Sequence, residues 1–348
     1  MKKGRNAQKI ADLMILFVAV SWGFSFMAMD IALTELTPIT LNAFRFVGAF
    51  MVAMIFAFKK MKGISKETVR YSIVLGTTLF LVYLTSTYGV KYTSLSNAGF
   101  LCAMSVVTTP LIAFLFKGVK QNKKFVFAIV VSTVGMALLM LKGSLSVAWG
   151  DVLCITTAII YGVHLNMAET AVAKSEVDAF HLGVLQLGVA GIYNLVFALS
   201  LGEFSISLSY NVVWSVIFLS IVCTGAAFIL QTIAQQYTTA SRVGMIFTLE
   251  PVAAGIVAYF HKGEILSVQG YVGATMLIMS IFIMEMDFDF IRRITGNDEA
   301  LPEMVTIIVL CGKFKRWNVK MEQNREDEKL SKNGLIIVSS KDNYWFYL

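Results

Sequence analysis

The sequence predicts an all-α polytopic membrane protein in which ten transmembrane helices form two inverted five-helix repeats around a central cavity. Three observations lead to this fold class. Ten apolar stretches are each about as long as a membrane span, which takes about 20 mostly apolar residues. Of the 348 residues 57% are hydrophobic and 15% are charged, whereas about a quarter of an ordinary soluble domain is charged. Short motifs of the first five stretches also recur in the second five.

The ten stretches are uniformly apolar, and their charges lie almost entirely in the loops between them. The helices of a large soluble core would instead show amphipathic stripes. In order, the predicted spans are 11–32, 39–58, 71–90, 97–116, 124–141, 149–168, 179–200, 211–234, 242–260 and 267–285. The chain therefore divides into a basic N-terminus (1–10), a first repeat (11–143), a second repeat (144–285) and a charged C-terminal tail (286–348).

The distribution of Lys and Arg predicts the orientation of the spans. Before the tail is counted, segments on the side of the N-terminus carry fifteen of them and loops on the other side carry three. By the positive-inside rule both termini are cytoplasmic, and we expect a multi-pass protein of the plasma membrane. Because these basic residues lie mainly on one side of the membrane, the net charge of +7 does not indicate binding of nucleic acid. The apolar run that follows the basic start is too long for a cleaved signal peptide, which predicts a retained first span.

The tail differs in character from the spans. It holds twenty of the fifty-one charged residues. One interpretation is a mobile cytoplasmic tail. The other is a small folded regulatory piece, in which Gly334–Ser339 and Tyr344–Leu348 form short strands.

An internal repeat relates the two halves. The segment Tyr92–Gly99 matches Tyr237–Gly244 at an offset of 145 positions, with four of eight residues identical. Trp22 aligns with Tyr161 at an offset of 139. A unit of five spans ends on the side opposite to its start, so a tandem copy must sit inverted. This construction is typical of proteins that open alternately to either side of the membrane.

Two of the four prolines occupy corresponding places in spans four and nine. Pro110 and Pro251 are 141 positions apart, and each removes a backbone hydrogen bond. Such a loss is tolerated in a membrane where neighbours or cavity water supply another partner. Corresponding interruptions in both halves point to a central site. The alternative is that both are packing kinks without a ligand role.

Ionisable side chains inside spans are the first candidates for function, because each is costly to bury in a bilayer. Glu250 lies about eight residues into span nine, roughly 12 Å along the axis and thus near the midplane, beside Pro251. Desolvation there opposes the charged form, so the carboxyl can alternate between protonated and ionised states. It would then couple proton movement to transport or bind a substrate ammonium group. The alternative is a structural acid bonded to the loosened backbone.

Arg45 lies about 10 Å inside span two, and three roles are open for it. It can snorkel to the interface, pair with Asp30, or hold an anionic group of a substrate. Asp30 itself aligns with Glu169 under the repeat. Inverted topology puts these two acids near opposite faces, as a candidate gate pair or as ordinary interfacial acids.

Polarity is distributed unevenly among the spans. Spans three, four and eight are rich in polar residues and are expected to face the cavity, whereas spans five and ten are apolar and are the candidate homodimer interface. Further candidates for the cavity lining are Trp22, Tyr83, His164, Asn166 and Gln231. His164 can instead be satisfied by packing partners, and Trp22 can be a belt anchor or a cavity wall.

Several kinds of chemistry lack their sequence signature. The four cysteines occur singly, so we expect no disulfide framework, metal site or cofactor. The chain has no HExxH motif, no serine–histidine set and no GxxxxGK[ST] loop. The sequence therefore predicts no catalytic residue, no enzyme and no ATP-driven pump.

The chain resembles the EamA-type domains of the drug/metabolite transporter superfamily over about 11–285. The motifs are Trp22-Gly23, Pro38 and Arg45, then Ser96-Asn97-Ala98-Gly99, Thr248-Leu249-Glu250-Pro251, and Lys262-Gly263-Glu264 through Gly273. The resemblance implies two five-span repeats and a cavity lined by spans one, three, four, six, eight and nine. It also implies a carrier, commonly an exporter of amino acids or other small metabolites. One departure is Lys117-Gly118-Val119-Lys120, where the second repeat has Glu264.

Residues and resemblance together predict a secondary-active exporter of small metabolites or amino acids that works by alternating access and is proton-coupled through Glu250. Its expected partners are the small-molecule substrate and the lipid bilayer. One alternative is a multidrug or cation efflux carrier, which would be expected to have a glutamate in span one, where this chain has none. The other is a receptor or scaffold that signals through the tail.

Overall fold

A computed structural model describes residues 5–93, 95–140, 148–206, 209–263 and 265–285. Within these ranges every regular element is helical, and ten helical stretches are long and apolar enough to cross a membrane. Their bounds lie within a few residues of the predicted spans. The all-α fold class is confirmed, whereas both interpretations of the tail fall outside the described residues.

Most spans are single helices. These are α1 (Arg5–Ala32), α2 (Pro38–Ala57), α3 (Lys66–Tyr92), α6 (Lys123–Met140), α7 (Trp149–Val172), α8 (Ala179–Ser200) and α13 (Val268–Glu285). Span four consists of α4 (Leu95–Ala103) and α5 (Ser105–Lys117). Span eight consists of α9 (Tyr210–Ser220), a π-helical turn (Ile221–Ala226) and α10 (Ala227–Ala234). Span nine consists of α11 (Ala240–Ile246), a 3₁₀ turn (Phe247–Leu249) and α12 (Glu250–Lys262).

Spans four and nine end in the same way. Gly118 follows α5 with φ 66°, and Gly263 follows α12 with φ 67°. This left-handed conformation suits glycine, and each glycine N–H caps carbonyls of the last helical turn. The two glycines are 145 positions apart, the offset that relates Tyr92 to Tyr237. The repeat therefore extends to the helix ends.

The same two spans are interrupted, but their prolines take different places. Pro251 lies in the first turn of α12, just after the 3₁₀ turn, where its missing N–H costs no helical hydrogen bond. Pro110 lies inside α5, and the interruption of span four comes six residues earlier at Met104. Pro251 thus begins a helix, whereas Pro110 is inside one.

The packing of the helices follows the internal repeat, so that equivalent spans have equivalent neighbours. Span one packs against spans eight and nine, and span six packs against spans three and four. Glycines permit the closest approaches. A Cβ on Gly23 would lie 2.9 Å from the backbone nitrogen of Ala254 in span nine, and one on Gly162 would lie 2.8 Å from Oγ1 of Thr108 in span four. Each repeat therefore builds much of its packing with the other.

Spans five and ten pack against each other through Gly135 and Gly273. A Cβ on Gly273 would lie 2.6 Å from the backbone nitrogen of Leu139. The faces left over carry exposed Val130 and Phe282. A homodimer through these two spans stays a prediction.

Candidate functional site

Trp22 lies inside the helical bundle and not at an interface. Its side chain is 9% exposed, and its indole Nε1 donates a hydrogen bond of 2.9 Å to the carbonyl oxygen of Cys223. Cys223 belongs to the π-helical turn of span eight. A π turn spaces backbone hydrogen bonds five residues apart and is frequent at functional sites. The thiol of Cys223 donates in turn to the carbonyl of Ser21 at 3.2 Å, so spans one and eight are tied twice.

Aromatic rings from three other spans contact Trp22. Its ring centroid lies 4.7 Å from that of Phe247, 5.5 Å from Phe228 and 6.3 Å from Tyr161. Tyr83 continues the group through a ring contact with Phe228 at 6.4 Å. We call these five residues the aromatic cluster. Phe228 and Phe247 are buried, whereas Tyr83 and Tyr161 are half-buried, so the cluster has both a packed and an accessible side.

Arg45 points to the aromatic cluster. It is 2% exposed, its guanidinium carbon lies 5.0 Å from the ring centroid of Tyr83, and its Nε donates to Oγ1 of Thr224 at 2.9 Å. A further contact joins its Nη1 to the sulfur of Met29 at 3.7 Å. Among the described residues no carboxylate forms an ion pair with it. The burial of Arg45 and these contacts place its guanidinium in the interior of the bundle, and the role of holding an anionic group of a substrate stays a prediction.

Glu250 lies at the first residue of α12, directly after the 3₁₀ turn. It is half-buried, and its carboxyl interacts electrostatically with Arg45, Tyr83 and Tyr161. The carboxyl of Glu250 is therefore within electrostatic range of side chains in the interior of the bundle. In the described part of the chain it forms no ion pair. One acid from the second repeat and one cation from the first therefore face a common interior region.

Three more polar side chains line this region. Tyr161 donates to Oε1 of Gln231 at 3.1 Å and stacks on His164, with ring centroids 5.7 Å apart. His164 also bonds through Nδ1 to Oγ1 of Thr78 at 2.9 Å. His164 and Gln231 are both fully buried, yet Nε2 of each lacks a partner among the described residues. Buried polar atoms normally bond to protein or ordered water, so both nitrogens keep an unused hydrogen-bonding capacity in this structure.

Asn166 is a packing residue in this structure. Its side-chain nitrogen donates to the carbonyl oxygens of Thr109 and Gly162, each at 2.9 Å. Thr109 precedes Pro110, so the amide of span six holds the backbone of span four next to the proline. The side-chain N–H groups of Asn166 are used in these two hydrogen bonds and do not face the aromatic cluster.

The two candidate gate acids are placed differently. Asp30 is exposed near the end of span one. Glu169 forms an ion pair of 3.0 Å with Lys117, whose Nζ also donates to the backbone carbonyl of Asn166 at 2.9 Å. This pair joins the end of span four to the end of span six.

Sequence reasoning missed some residues of this region. Thr224 is one of the polar residues of span eight that were expected to face the cavity. Its contact with Arg45 and the bond from Trp22 to the Cys223 carbonyl were not predicted, because a π turn leaves no periodic signal in the sequence. Phe228 and Phe247 were indistinguishable from other apolar residues. Among the described residues no group of three His, Cys, Asp or Glu side chains could hold a metal ion.

Comparisons with known proteins agree with this architecture. The profile of the family described as "EamA-like transporter family" matches residues 9–141 and 148–286. An uncharacterized transporter of Archaeoglobus fulgidus is 28% identical over 277 residues, which cover 79% of this chain and 86% of that protein. The uncharacterized transporter YoaV of Bacillus subtilis is 24% identical over 287 residues, which cover 80% and 97%.

A solved crystal structure superposes with a TM-score of 0.68 at 15% sequence identity, over 82% of this chain and 99% of its own. At that identity the likeness concerns the fold alone. The family match covers both repeats and most of the chain, and ten apolar helices accompany it. The protein is thus a multi-pass membrane protein, and the chain belongs to the EamA-like transporter family.

Proposed function

We propose that this chain is a secondary-active carrier of small zwitterionic metabolites, amino acids among them, that exports them by alternating access from the cytoplasm. The proposed location is the cell membrane, with both termini on the cytoplasmic side. The direction and the substrate class extend what the family resemblance implies. The carrier works without a catalytic residue or cofactor of its own, and the substrate moves between the two repeats.

The relation between Arg45 and Glu250 carries this proposal. They come from different repeats, they interact electrostatically, and neither forms an ion pair with the other or with another described residue. Opposite charges that interact across a low-dielectric interior attract each other, so leaving them unpaired is costly without a ligand, a proton or water to satisfy them. A zwitterion satisfies both, with its carboxylate at Arg45 and its ammonium at Glu250.

The rest of the site supports a small amphipathic substrate. The aromatic cluster offers apolar contact surface, while Nε2 of Gln231 and Nε2 of His164 supply unused hydrogen-bonding positions. Apolar walls with a few convergent polar groups are typical of small-molecule sites. A purely cationic drug fits this arrangement less well, because Arg45 places a fixed positive charge in the same region.

Proton coupling through Glu250 completes the proposal. A half-buried carboxyl at the midplane that meets either a substrate ammonium group or a proton can exchange one for the other. Exchange at a single carboxyl would make substrate and proton move in opposite directions. Export then follows when the proton gradient is directed inward.

The test is counterflow in proteoliposomes that contain the purified full-length chain. Vesicles preloaded with an unlabelled amino-acid mixture should take up labelled amino acids from outside, with saturation. An imposed pH gradient should drive accumulation in one direction, and a protonophore should abolish it. Protein-free vesicles are the control. Non-saturable leak through the protein, or no exchange of any amino-acid pool, would contradict the proposal.

A further inference from the structure

Asp12 and Arg242 form a two-point ion pair at the face of the membrane where span one begins. Nε and Nη2 of Arg242 donate to Oδ1 and Oδ2 of Asp12, each at 2.9 Å. Oγ1 of Thr238 donates to the same Oδ1 at 3.4 Å, and Arg242 also pairs with Glu285 at the end of span ten. We call this the N-terminal face. The ion pair joins the start of span one, in the first repeat, to the start of span nine, in the second.

The other repeat makes the equivalent contact. Asp12 corresponds to Asp151 at the offset of 139 that aligns Trp22 with Tyr161, and Thr238 corresponds to Thr93 at the offset of 145. Oγ1 of Thr93 donates to Oδ1 of Asp151 at 2.5 Å. This hydrogen bond joins the start of span six to the connection between spans three and four. Because the two repeats are inverted relative to each other, this hydrogen bond lies at the opposite face of the membrane.

The two contacts differ in chemistry. The position equivalent to Arg242 is the neutral Asn97 in the first repeat. Asp12 and Arg242 are mostly shielded from solvent, with side chains 16% and 17% exposed. Two-point pairing between a guanidinium and a carboxylate is a strong and geometrically specific form of ion pair. Removal of Arg242 leaves Asp12 shielded without its ion-pair partner, whereas removal of Asp12 leaves Arg242 paired with Glu285 alone.

Each contact lies on spans that also carry residues of the candidate site. Trp22 lies ten residues beyond Asp12 on span one, about 15 Å along the axis, and Glu250 lies eight residues beyond Arg242 on span nine, about 12 Å. Separation of spans one and nine at the N-terminal face would therefore open a path to the site from that side. Tyr161 stands ten residues beyond Asp151 in the same way, on the path from the opposite face.

We propose that these contacts are the two latches of alternating access: Asp12–Arg242 with Thr238 holds the N-terminal face closed, and Asp151–Thr93 holds the opposite face closed. The proposal rests on the proposed carrier function and adds how access to its site is regulated. Only one latch opens at a time. Weakening one latch therefore shifts the population toward opening at its own face and away from opening at the other.

Accessibility of Cys223 tests the latches without any substrate. Its thiol is fully buried beside Trp22 and reacts only when the site becomes open. In the full-length chain Cys102, Cys154 and Cys311 are replaced by serine, and a membrane-impermeant methanethiosulfonate is added to either side of sealed vesicles of known orientation. The variants are Asp12→Asn, Arg242→Gln, the two together, and the matched pair Thr238→Val and Thr93→Val.

We expect Asp12→Asn and Arg242→Gln to speed labelling from the N-terminal face roughly tenfold, equivalent to about 1.4 kcal/mol, and to slow labelling from the other face. The double variant should be labelled only slightly faster than the faster single variant, because both single changes remove the same interaction. Thr238→Val should change the two labelling rates in the same direction, but more weakly. Thr93→Val should speed labelling from the opposite face and slow labelling from the N-terminal face.

Three results would overturn this proposal: no change in the labelling of Cys223, equal acceleration of labelling from both faces, or a change of the labelling rates in the same direction for Thr238→Val and Thr93→Val. Elution as a single species in size-exclusion chromatography separates opening from unfolding. If Arg242→Gln fails this control, Arg242→Lys, which keeps the charge and loses the two-point geometry, replaces it. Failure of the carrier function itself would look different, since counterflow would then be absent from the unmodified chain while the latch variants still shifted Cys223 labelling from one face to the other.

Discussion

Trp22 and Cys223 lie 201 positions apart and are joined by one hydrogen bond from an indole nitrogen to a backbone carbonyl. The acceptor belongs to a π-helical turn, where the backbone spacing differs from that of the α-helices on either side. The donor belongs to the helix that begins the other repeat. A local irregularity of span eight is thus satisfied by a side chain of span one, which positions the ring in the centre of the aromatic cluster.

Trp22→Phe should destabilise the protein and weaken transport. Phenylalanine keeps an aromatic ring but cannot donate to the Cys223 carbonyl, and leaving a buried acceptor unsatisfied costs about 1–3 kcal/mol. Thermal unfolding in detergent should show the lower midpoint. Trp149→Phe is the matched control, because Trp149 is 68% exposed at the start of span six. Equal midpoints for the two variants would show that the hydrogen bond contributes nothing.

Glu250→Gln should separate exchange from proton coupling. Glutamine keeps the size and the hydrogen-bonding ability of the side chain but can neither ionise nor carry a proton. We expect gradient-driven accumulation to be lost, while residual counterflow becomes independent of pH. Glu203→Gln serves as control, since Glu203 lies in the loop after span seven and its carbonyl, not its carboxyl, accepts a hydrogen bond from Thr40. Accumulation that persists in Glu250→Gln would remove Glu250 from the coupling step.

Arg45 should act on substrates through their anionic group. Arg45→Gln should reduce transport of an amino acid roughly tenfold or more, and should affect the corresponding amine much less, because hydrogen bonds to charged groups contribute about 1.5–3 kcal/mol. Thr224→Val should show a weaker effect, mainly on KM, since it leaves the charge but removes the acceptor of Nε. Arg70→Gln is the control, as the Arg70 side chain is 77% exposed. Equal losses for the amino acid and the amine would argue for a merely structural Arg45.

Close packing of spans five and ten should make Gly273 sensitive to a single methyl group. A Cβ there would approach the backbone of Leu139 at 2.6 Å, so Gly273→Ala must push the helices apart, at a cost of about 1–3 kcal/mol. Gly255→Ala is a matched change in a helix, where the nearest atom would lie 3.6 Å away. It should be neutral or slightly stabilising because alanine favours helix. Thermal midpoints compare the two directly.

Much of the architecture was readable from the sequence because a bilayer imposes its own rule. Each span must satisfy its backbone internally and be apolar over about 20 residues, so ten spans and their approximate ends follow from hydropathy alone. The repeat was readable for a related reason. Trp22 and Tyr161, or Gly118 and Gly263, occupy equivalent positions in two copies of one unit, and their spacing survives in the chain.

The roles of individual polar residues depended on the tertiary structure. For Arg45 the sequence left three roles open, and the structure adds its contacts with Thr224 and Tyr83, which no spacing rule connects to it. Asn166 was a candidate for the cavity lining but packs against the backbone next to Pro110. In the sequence Asp12 is an ordinary acid near the start of span one, whereas in the structure it pairs with Arg242, 230 positions away.

The sequence by itself therefore determined the class of the protein, the number of its spans and the family relationship, because these follow from composition and from spacing along one chain. Only the tertiary structure decided which charges meet, which carbonyl Trp22 binds and which contacts join the repeats at each face. Those depend on how helices from different repeats cross, and a crossing is set by the fit of distant side chains that the order of residues within one span does not reveal.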